Sequence, residues 1–425
     1  MSDNKFLKRL FQAYYQEKQK EIPAVSSLEF REFGFIPWEK QIMIRHIGFE
    51  SQKILLNYLI DRGPKHVYSS GSLYLQPEAQ NMEIKKYQGC DLIVDIDVDH
   101  FYTPCKDEHD LWYCNNCEAK GTGMQEKCPK CEKSKITKLN WICDKCLDVA
   151  KNEIKKLVYD FLIPDFGTDE KDMRVAFSGH RGYHLKVESE ELRKLNSDER
   201  REIVDYLTGE NISFEVLGLG EKFQMIHGLS KENIGWSQKI MKKIEDILCK
   251  PKTEIENLLL DKNRFGFNPN VVTSFLNSKD DFLELISKGE RNVWSIEGFG
   301  LIMWKNFLKG VVKHIGVELD EPVSIDIHRL IRYPGSLHGK TGFKVQEIEL
   351  NELDDFNPLD ESNEKLDPIV FYSKNITQKL EIVERALPIT KIKGTKYGPY
   401  IQGEKIKVPH HIAVFLLCKE VAKTI

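Results

Sequence analysis

The sequence of 425 residues lacks any run of about 18 apolar residues, the length that would nominate a membrane-spanning helix. A membrane-embedded protein is not expected, and no membrane partner is implied. Its first residues, MSDNKFLKRLFQAYYQEKQK, form a charged amphipathic stretch without an apolar signal core and cleavage site, so the expected location is the cytoplasm. An excess of charge of one sign is also missing: 62 basic residues against 66 acidic ones give a formal net charge of −4. No global basic field draws the chain to nucleic acid, and any affinity for phosphate has to come from local basic patches or metal ions. Internal repeats and long low-complexity stretches are absent. With 41% hydrophobic and 30% charged residues, the composition lies away from that of disordered chains. At this length two or three domains are expected.

Along the chain, Phe6, Leu7, Leu10, Phe11 and Tyr14 recur at helical spacing from Met1 to about Pro23, which predicts a helix packed on one face. A second amphipathic helix is predicted around Gln52 to Asp61. Residues 67–75 (VYSSGSLYL) and 91–98 (DLIVDIDV) are short blocks of β-branched and apolar residues bounded by turn formers, the pattern of strands. Helical periodicity follows from Asp148 to Asp165, with Ile154, Leu157, Val158 and Phe161 on one face. Two further strands are predicted at 174–177 and 184–187, flanking SGHRGY. Residues 188 to about 309 are charged and helical in pattern. Strand character returns at 322–327 (PVSIDI) and 343–350 (FKVQEIEL), where the sheet begun near residue 67 is expected to be completed.

Asp95 and Asp97 are one residue apart on a predicted strand, and alternation puts both carboxylates on one face. Their neighbours Ile93, Val94, Ile96 and Val98 are apolar, so the strand belongs to a core. Paired carboxylates in such a setting repel, and ionise fully only with a cation between them. Hard oxygen donors of this kind suit Mg²⁺ or Mn²⁺. A strand end, or pairing with basic residues, explains an isolated DxD equally well.

Ten cysteines are present, eight of them between Cys90 and Cys146. In a cytoplasmic chain CxxC pairs mean metal rather than disulfides. Cys114, Cys117, Cys128 and Cys131 have the spacing of a zinc ribbon. Outside them stand Cys105, His109, Cys143 and Cys146, a second four-ligand set, so two nested Zn²⁺ sites are expected. Trp112 before Cys114-x2-Cys117 keeps open a grouping of Cys105, His109, Cys114 and Cys117. All positions being filled, the sites are read as structural. Lys127, Lys130, Lys133, Lys135 and Lys138 decorate the ribbon, where template backbone and bulk water are both suitable partners. Cys90, Cys249 and Cys418 are read as ordinary residues.

Three blocks, DLIVDID, FSGHRGYHLKV and SIDIHRLIRYPGSLHGKTG, stand in that order. Together with Trp141, Cys143 and Cys146 and the DFG at 165–167, they resemble the small, catalytic subunit of the archaeal and eukaryotic DNA primase family, most closely its archaeal members. The resemblance covers most of residues 30 to 350. It implies a mixed α/β fold: a largely antiparallel-sheet catalytic core with an inserted zinc-binding module and a helical insertion domain. The expected segments are core at 1–104, zinc module at 105–147, core at 148–187, helical insertion at 188–309, core at 310–374 and a C-terminal segment at 375–425. The resemblance implies a catalytic triad of Asp95, Asp97 and Asp326 holding Mg²⁺ or Mn²⁺, and Cys105, His109, Cys143 and Cys146 as the family's zinc knuckle.

It assigns Ser178, Arg181 and His184 to the incoming nucleotide and His338 and Lys340 to its triphosphate, with Arg332 nearby. Two glycines and an arginine fork in SGHRGYH suit that task, since such a loop donates several hydrogen bonds to phosphate. His328 shares the expected face of Asp326, where a role near the metals and plain packing both fit. Asp99 and His100 are read as loop caps. The implied activity is template-directed primer synthesis, joining NTPs (dNTPs remaining an open second class) to an RNA or DNA primer on single-stranded DNA. A large primase subunit is the implied partner. A repair polymerase of the same superfamily shares the carboxylates, and a zinc-ribbon adaptor would not need them. Metal analysis of the purified chain is expected to find about two zinc ions per chain. A value near one would defeat the nested arrangement.

Overall fold

Short blocks of β-branched and aromatic residues form strands here because such side chains fit a pleated, half-buried surface. The computed structural model describes residues 3–262, 264–288, 293–296, 298–373 and 375–425. Met1, where the sequence starts its first helix, lies outside the described residues, as do 263, 289–292 and 297 of the expected insertion and Lys374 at the end of the third core segment. Among the described residues no helix is long and apolar enough to cross a membrane.

In chain order the first strands are β1 (Arg31–Ile36), β2 (Ile44–Ile47), β3 (His66–Tyr74), β4 (Tyr87–Cys90) and β5 (Leu92–Asp97). β6 (Leu111–Cys114), β7 (Lys120–Thr122) and β8 (Ile136–Leu139) make a ribbon of their own. β9 (Met173–Phe177) and β10 (Gly182–Val187) form a hairpin, and β11 (Gly220–Lys222) and β12 (Met225–His227) form another. β13 (Leu330–Arg332) and β14 (Gln346–Ile348) come later.

The fold is mixed α/β with several antiparallel sheets. One sheet runs β13-β3-β1-β2 with β4 on β3, and another runs β14-β9-β10-β5. The single sheet expected from 67 to 350 is therefore two, with β13 pairing β3 and β14 pairing β9. The strand expected at 322–327 is instead a short helix, Glu321–Ile325. Pro322 explains the difference, because it offers no N–H to a ladder but suits the first turn of a helix.

The chain divides into two compact units, Met1–Arg201 with Leu319–Ile425, and Glu202–Glu318. In the second, helices such as Trp236–Leu248 and Leu301–Ile315 bury an aromatic core that includes Phe275, Phe299, Trp304 and Phe307. That unit starts after residue 188, where the sequence begins its helical insertion. Arg193 and Arg200 bind the first unit: Arg193 Nε lies 2.5 Å from Asp91 Oδ1, and Arg200 donates to the Asp91 and Cys90 carbonyls. It ends after residue 309 because the helix Leu301–Ile315 runs on to Ile315.

In the first unit the N-terminal helix Asp3–Glu17 buries Leu7, Phe11, Tyr14 and Tyr15. Arg31 of β1 reaches Asp91, the single residue between β4 and β5. Both side chains are 0% exposed and 2.7 Å apart. Arg31 also donates to the Ser26, Ser70 and Gly71 carbonyls, so the buried cation is fully hydrogen-bonded. Removing its counter-charge would strand a buried charge, which costs about 3–5 kcal/mol. Asp91→Ala is expected to lower the unfolding free energy in urea by about that amount, with part of it recovered in the double variant Arg31→Met/Asp91→Leu. A loss under about 1 kcal/mol, the scale of an exposed pair, would deny this pair its role.

Candidate active site and zinc sites

β5 carries Asp95 and Asp97 on one face, while Ile93, Val94 and Ile96 are buried. Register places Asp95 opposite His184 of β10 and Asp97 opposite Gly182. Added there, a Cβ would lie 2.2 Å from the Ile96 carbonyl oxygen, so Gly182 lets the hairpin approach the carboxylate strand. Burial, then Asp97 and Asp320, push the Asp95 carboxyl up to about 8. Asp97 is also pushed up, by burial and then by Asp99, although it accepts the Asp99 N–H at 2.9 Å. His184 Nε2 is 3.6 Å from Asp95 Oδ1. Burial, with Arg332 adding to it, holds this imidazole down at about 3, so the contact joins a neutral ring to a carboxyl and is not an ion pair.

The aspartate that the structure brings beside Asp95 is Asp320, while the expected Asp326 stands apart from it. Asp320 donates its N–H to the Asp95 carbonyl at 2.9 Å, and its charge is one of those acting on Asp95. Asp326 follows the helix Glu321–Ile325 as its C-cap, keeps 45% of its side chain exposed, pairs with Arg329 at 3.6 Å and accepts the His328 N–H at 2.9 Å. Strand alternation does not operate here because the segment is helical, and His328 is exposed as well. In sequence, Asp320 looks like an N-cap ahead of Pro322, and nothing local marks it as a ligand. Asp99 and His180 were also missed as site residues: their ligand atoms and one of Asp97 lie within 4.8 Å of one another. Carboxylates this strained toward protonation, with oxygen as donor, fit a hard divalent cation.

The loop between β9 and β10 is closed by the Ser178 N–H to the Gly182 carbonyl at 2.9 Å, with Ser178 Oγ accepting the His180 N–H at 3.3 Å. Gly179 has φ +80°, and an added Cβ would lie 2.7 Å from that of His338. The close approach lets His180 stack on His338, ring centroids 5.2 Å apart, with His66 edge-on to His338 at 5.0 Å. Burial and the cations around them push all three imidazoles down, so the rings are neutral at pH 7. Arg332 donates to His66 Nδ1 at 2.8 Å and lies over the Tyr68 ring. Lys340 is exposed beside them. His184 thus adjoins Asp95, while Ser178 and His338 adjoin His180.

Arg181, expected on the incoming nucleotide, is held here by carboxylates. Its side chain is 0% exposed, it grips both Asp110 oxygens at 2.9–3.0 Å, and Asp99 lies 3.2 Å away. Asp110 thus engages its two terminal nitrogens, while the Arg181 Nε is buried without a hydrogen-bond partner among the described residues.

Asp110 leads into the zinc module. Its carboxylate is 2.8 Å from His109 Nδ1 and accepts the Trp141 N–H at 2.9 Å. His109 Nε2 faces Cys143 at 3.1 Å and Cys146 at 3.4 Å, and Cys105 Sγ is 3.2 Å from Cys146 Sγ. A second group joins Cys114 to Cys131 at 3.5 Å and Cys117 to Cys128 at 3.6 Å. Within each group all ligand atoms lie within 4.8 Å of one another. The nested grouping is the one adopted, and the cysteines are free thiols. Sulfur and imidazole donors in fours fit zinc, and the carboxylate behind His109 is the usual outer partner of a ligating imidazole. Asp320→Asn is expected to weaken Mn²⁺ binding at least about tenfold, read by electron paramagnetic resonance, while Asp326→Asn leaves it within about twofold. The reverse order would restore Asp326.

Comparison with known proteins agrees with this geometry. The family model described as DNA primase small subunit matches residues 131–350. The DNA primase small subunit PriS of Methanothrix thermoacetophila is 33% identical over 433 residues, covering 98% of this chain and 98% of that one. That of Methanocella arvoryzae is 30% identical and covers 97% and 96%. The Thermoplasma volcanium protein is likewise 30% identical, covering 97% and 95%. With relatives aligned over nearly its whole length, the chain belongs to the DNA primase small subunit family.

Proposed function

We infer that the chain is the catalytic subunit of a DNA primase, synthesising short RNA primers for DNA replication on single-stranded DNA, with Asp95, Asp97 and Asp320 holding Mg²⁺ or Mn²⁺. Membership of the primase small subunit family supports the activity. The observation that carries the site is the carboxylate pair on β5, facing His184 and bonded through Asp95 to Asp320. A divalent ion bound there supplies positive charge that makes an attacking hydroxyl more acidic and steadies the departing pyrophosphate.

The protein's own groups bind and orient. Ser178, His184, His338, Lys340 and Arg332 form the polar surface that would receive the triphosphate. Neutral imidazoles there donate or accept hydrogen bonds without cancelling the charge of the cations. The two cysteine groups hold structural Zn²⁺, and Arg181 positions the Ser178–His184 loop through Asp110 rather than touching the nucleotide. In this reading the substrates are NTPs, with dNTPs as the second class, a large primase subunit assists initiation, and the protein works in the cytoplasm.

The test is synthesis on unprimed single-stranded DNA with labelled NTPs and Mg²⁺ or Mn²⁺. Oligomers should form with the wild type, and Asp97→Ala should reduce them by about 100-fold or more, the scale of losing a transition-state stabiliser, with zinc content unchanged. If the wild type forms no oligomer even with a large subunit added, priming is the wrong activity.

A further inference from the structure

Beside Asp99 and His180 lies a cavity of about 420 Å³ whose cationic lining includes Lys65, Lys138, Lys340 and Lys419. The last of these comes from outside the family-matched span: Lys419 caps the helix His410–Cys418, which is buried within the first unit. Its acidic lining is Asp99 and Glu420, and Glu420 is already paired with Lys65 at 2.8 Å. Lys419 Nζ donates to the Asn140 carbonyl at 2.8 Å and to His180 Nε2 at 2.8 Å, and neither partner neutralises it. His180 is the hinge of the arrangement, since it stacks on His338 and stands within 4.8 Å of an Asp97 oxygen. The cavity therefore adjoins the carboxylates through His180 and Asp99. Burial, then Arg181, pushes the Lys419 ammonium down to about 7, and Lys340 acts in the same direction.

We propose that Lys419 is a further substrate-binding residue, holding the β- and γ-phosphates of the incoming nucleotide, and then the pyrophosphate they become, together with Lys340 and His180. This rests on the primase reading above. Convergence of several cations on one recess suits a multiply charged phosphate chain better than a template backbone, which offers one charge per phosphate. In the reaction the primer 3′ oxygen bonds to the α-phosphorus while the bond from that phosphorus to the bridging oxygen breaks. Its electron pair leaves with pyrophosphate, and the hydroxyl proton passes to water. Lys419 would face the oxygens on which that charge accumulates.

Pyrophosphate with Mg²⁺, titrated calorimetrically into the full chain, is the probe. Lys419→Gln should weaken binding about tenfold or more, and Lys419→Arg should keep it within about threefold, as a charge-assisted hydrogen bond predicts. In the wild type, pyrophosphate should also protect Lys419 from amine acylation read by mass spectrometry, a measurement that needs no variant to fold. Unchanged binding in Lys419→Gln, or acylation indifferent to saturating pyrophosphate, overturns the proposal. Protection by single-stranded DNA but not by pyrophosphate overturns it as well and gives Lys419 to the template. A wild type that makes primers while Lys419→Gln binds normally sinks this assignment alone, whereas a wild type that makes none sinks the primase reading.

Discussion

The arrangement of this site depends on one carboxylate. Asp110 takes both prongs of Arg181, the Nδ1 of His109 and the N–H of Trp141. It thereby ties the loop Ser178–His184 to the knuckle of Cys105, His109, Cys143 and Cys146. A guanidinium with no exposed surface needs a counter-charge in place, because an unpaired buried cation costs several kcal/mol. Arg181 consequently has one position, and so does the loop Ser178–His184 that carries it. The zinc module, on this view, is a buttress: by orienting His109 it orients Asp110, and through Asp110 the backbone beside the catalytic strand.

Around that fixed point the charges are sorted. Arg332 acts on Asp95 and Asp97 and contacts His66, while Lys419 contacts His180, which stands beside Asp97 and Asp99. Burial and the neighbouring cations keep the rings of His66, His180, His184 and His338 neutral. Neutral spacers matter physically, since imidazolium in their place would add repulsion to the cations and compete with any divalent ion for the carboxylates. The mutual strain is visible in Asp95, pushed up to about 8, and in Lys419, pushed down to about 7. Both shifts would be relieved by the opposite charge, a metal ion for one and a phosphate chain for the other.

Much of the site was legible before any fold was known. The alternation in Leu92–Asp97 required two carboxylates on one face, and β5 carries them so. CxxC spacing identified both cysteine groups, because metal sites of this class are built from local knuckles whose geometry is set within a few residues. The glycines at 179 and 182 were visible as points of close approach, and each sits where an added Cβ would meet another segment of the chain. Less was legible where a residue's partner lies far along the chain. Arg181 has the look of a phosphate ligand until Asp110, 71 residues earlier, takes its fork. Asp326 looked like a strand residue until Pro322 turned its segment into a helix.

What the sequence by itself determined is therefore the chemistry available: paired hard oxygens, two sets of soft donors, a glycine-rich loop with cations nearby. Local spacing is enough for these, since period-two alternation and CxxC knuckles are short-range facts. Only the tertiary structure brings Asp320 beside Asp95, sets Arg181 on Asp110, and places a lysine near the C-terminus in the recess beside Asp99. Those choices are made by contacts between distant segments, where burial and competing charge select one partner among several chemically equivalent candidates.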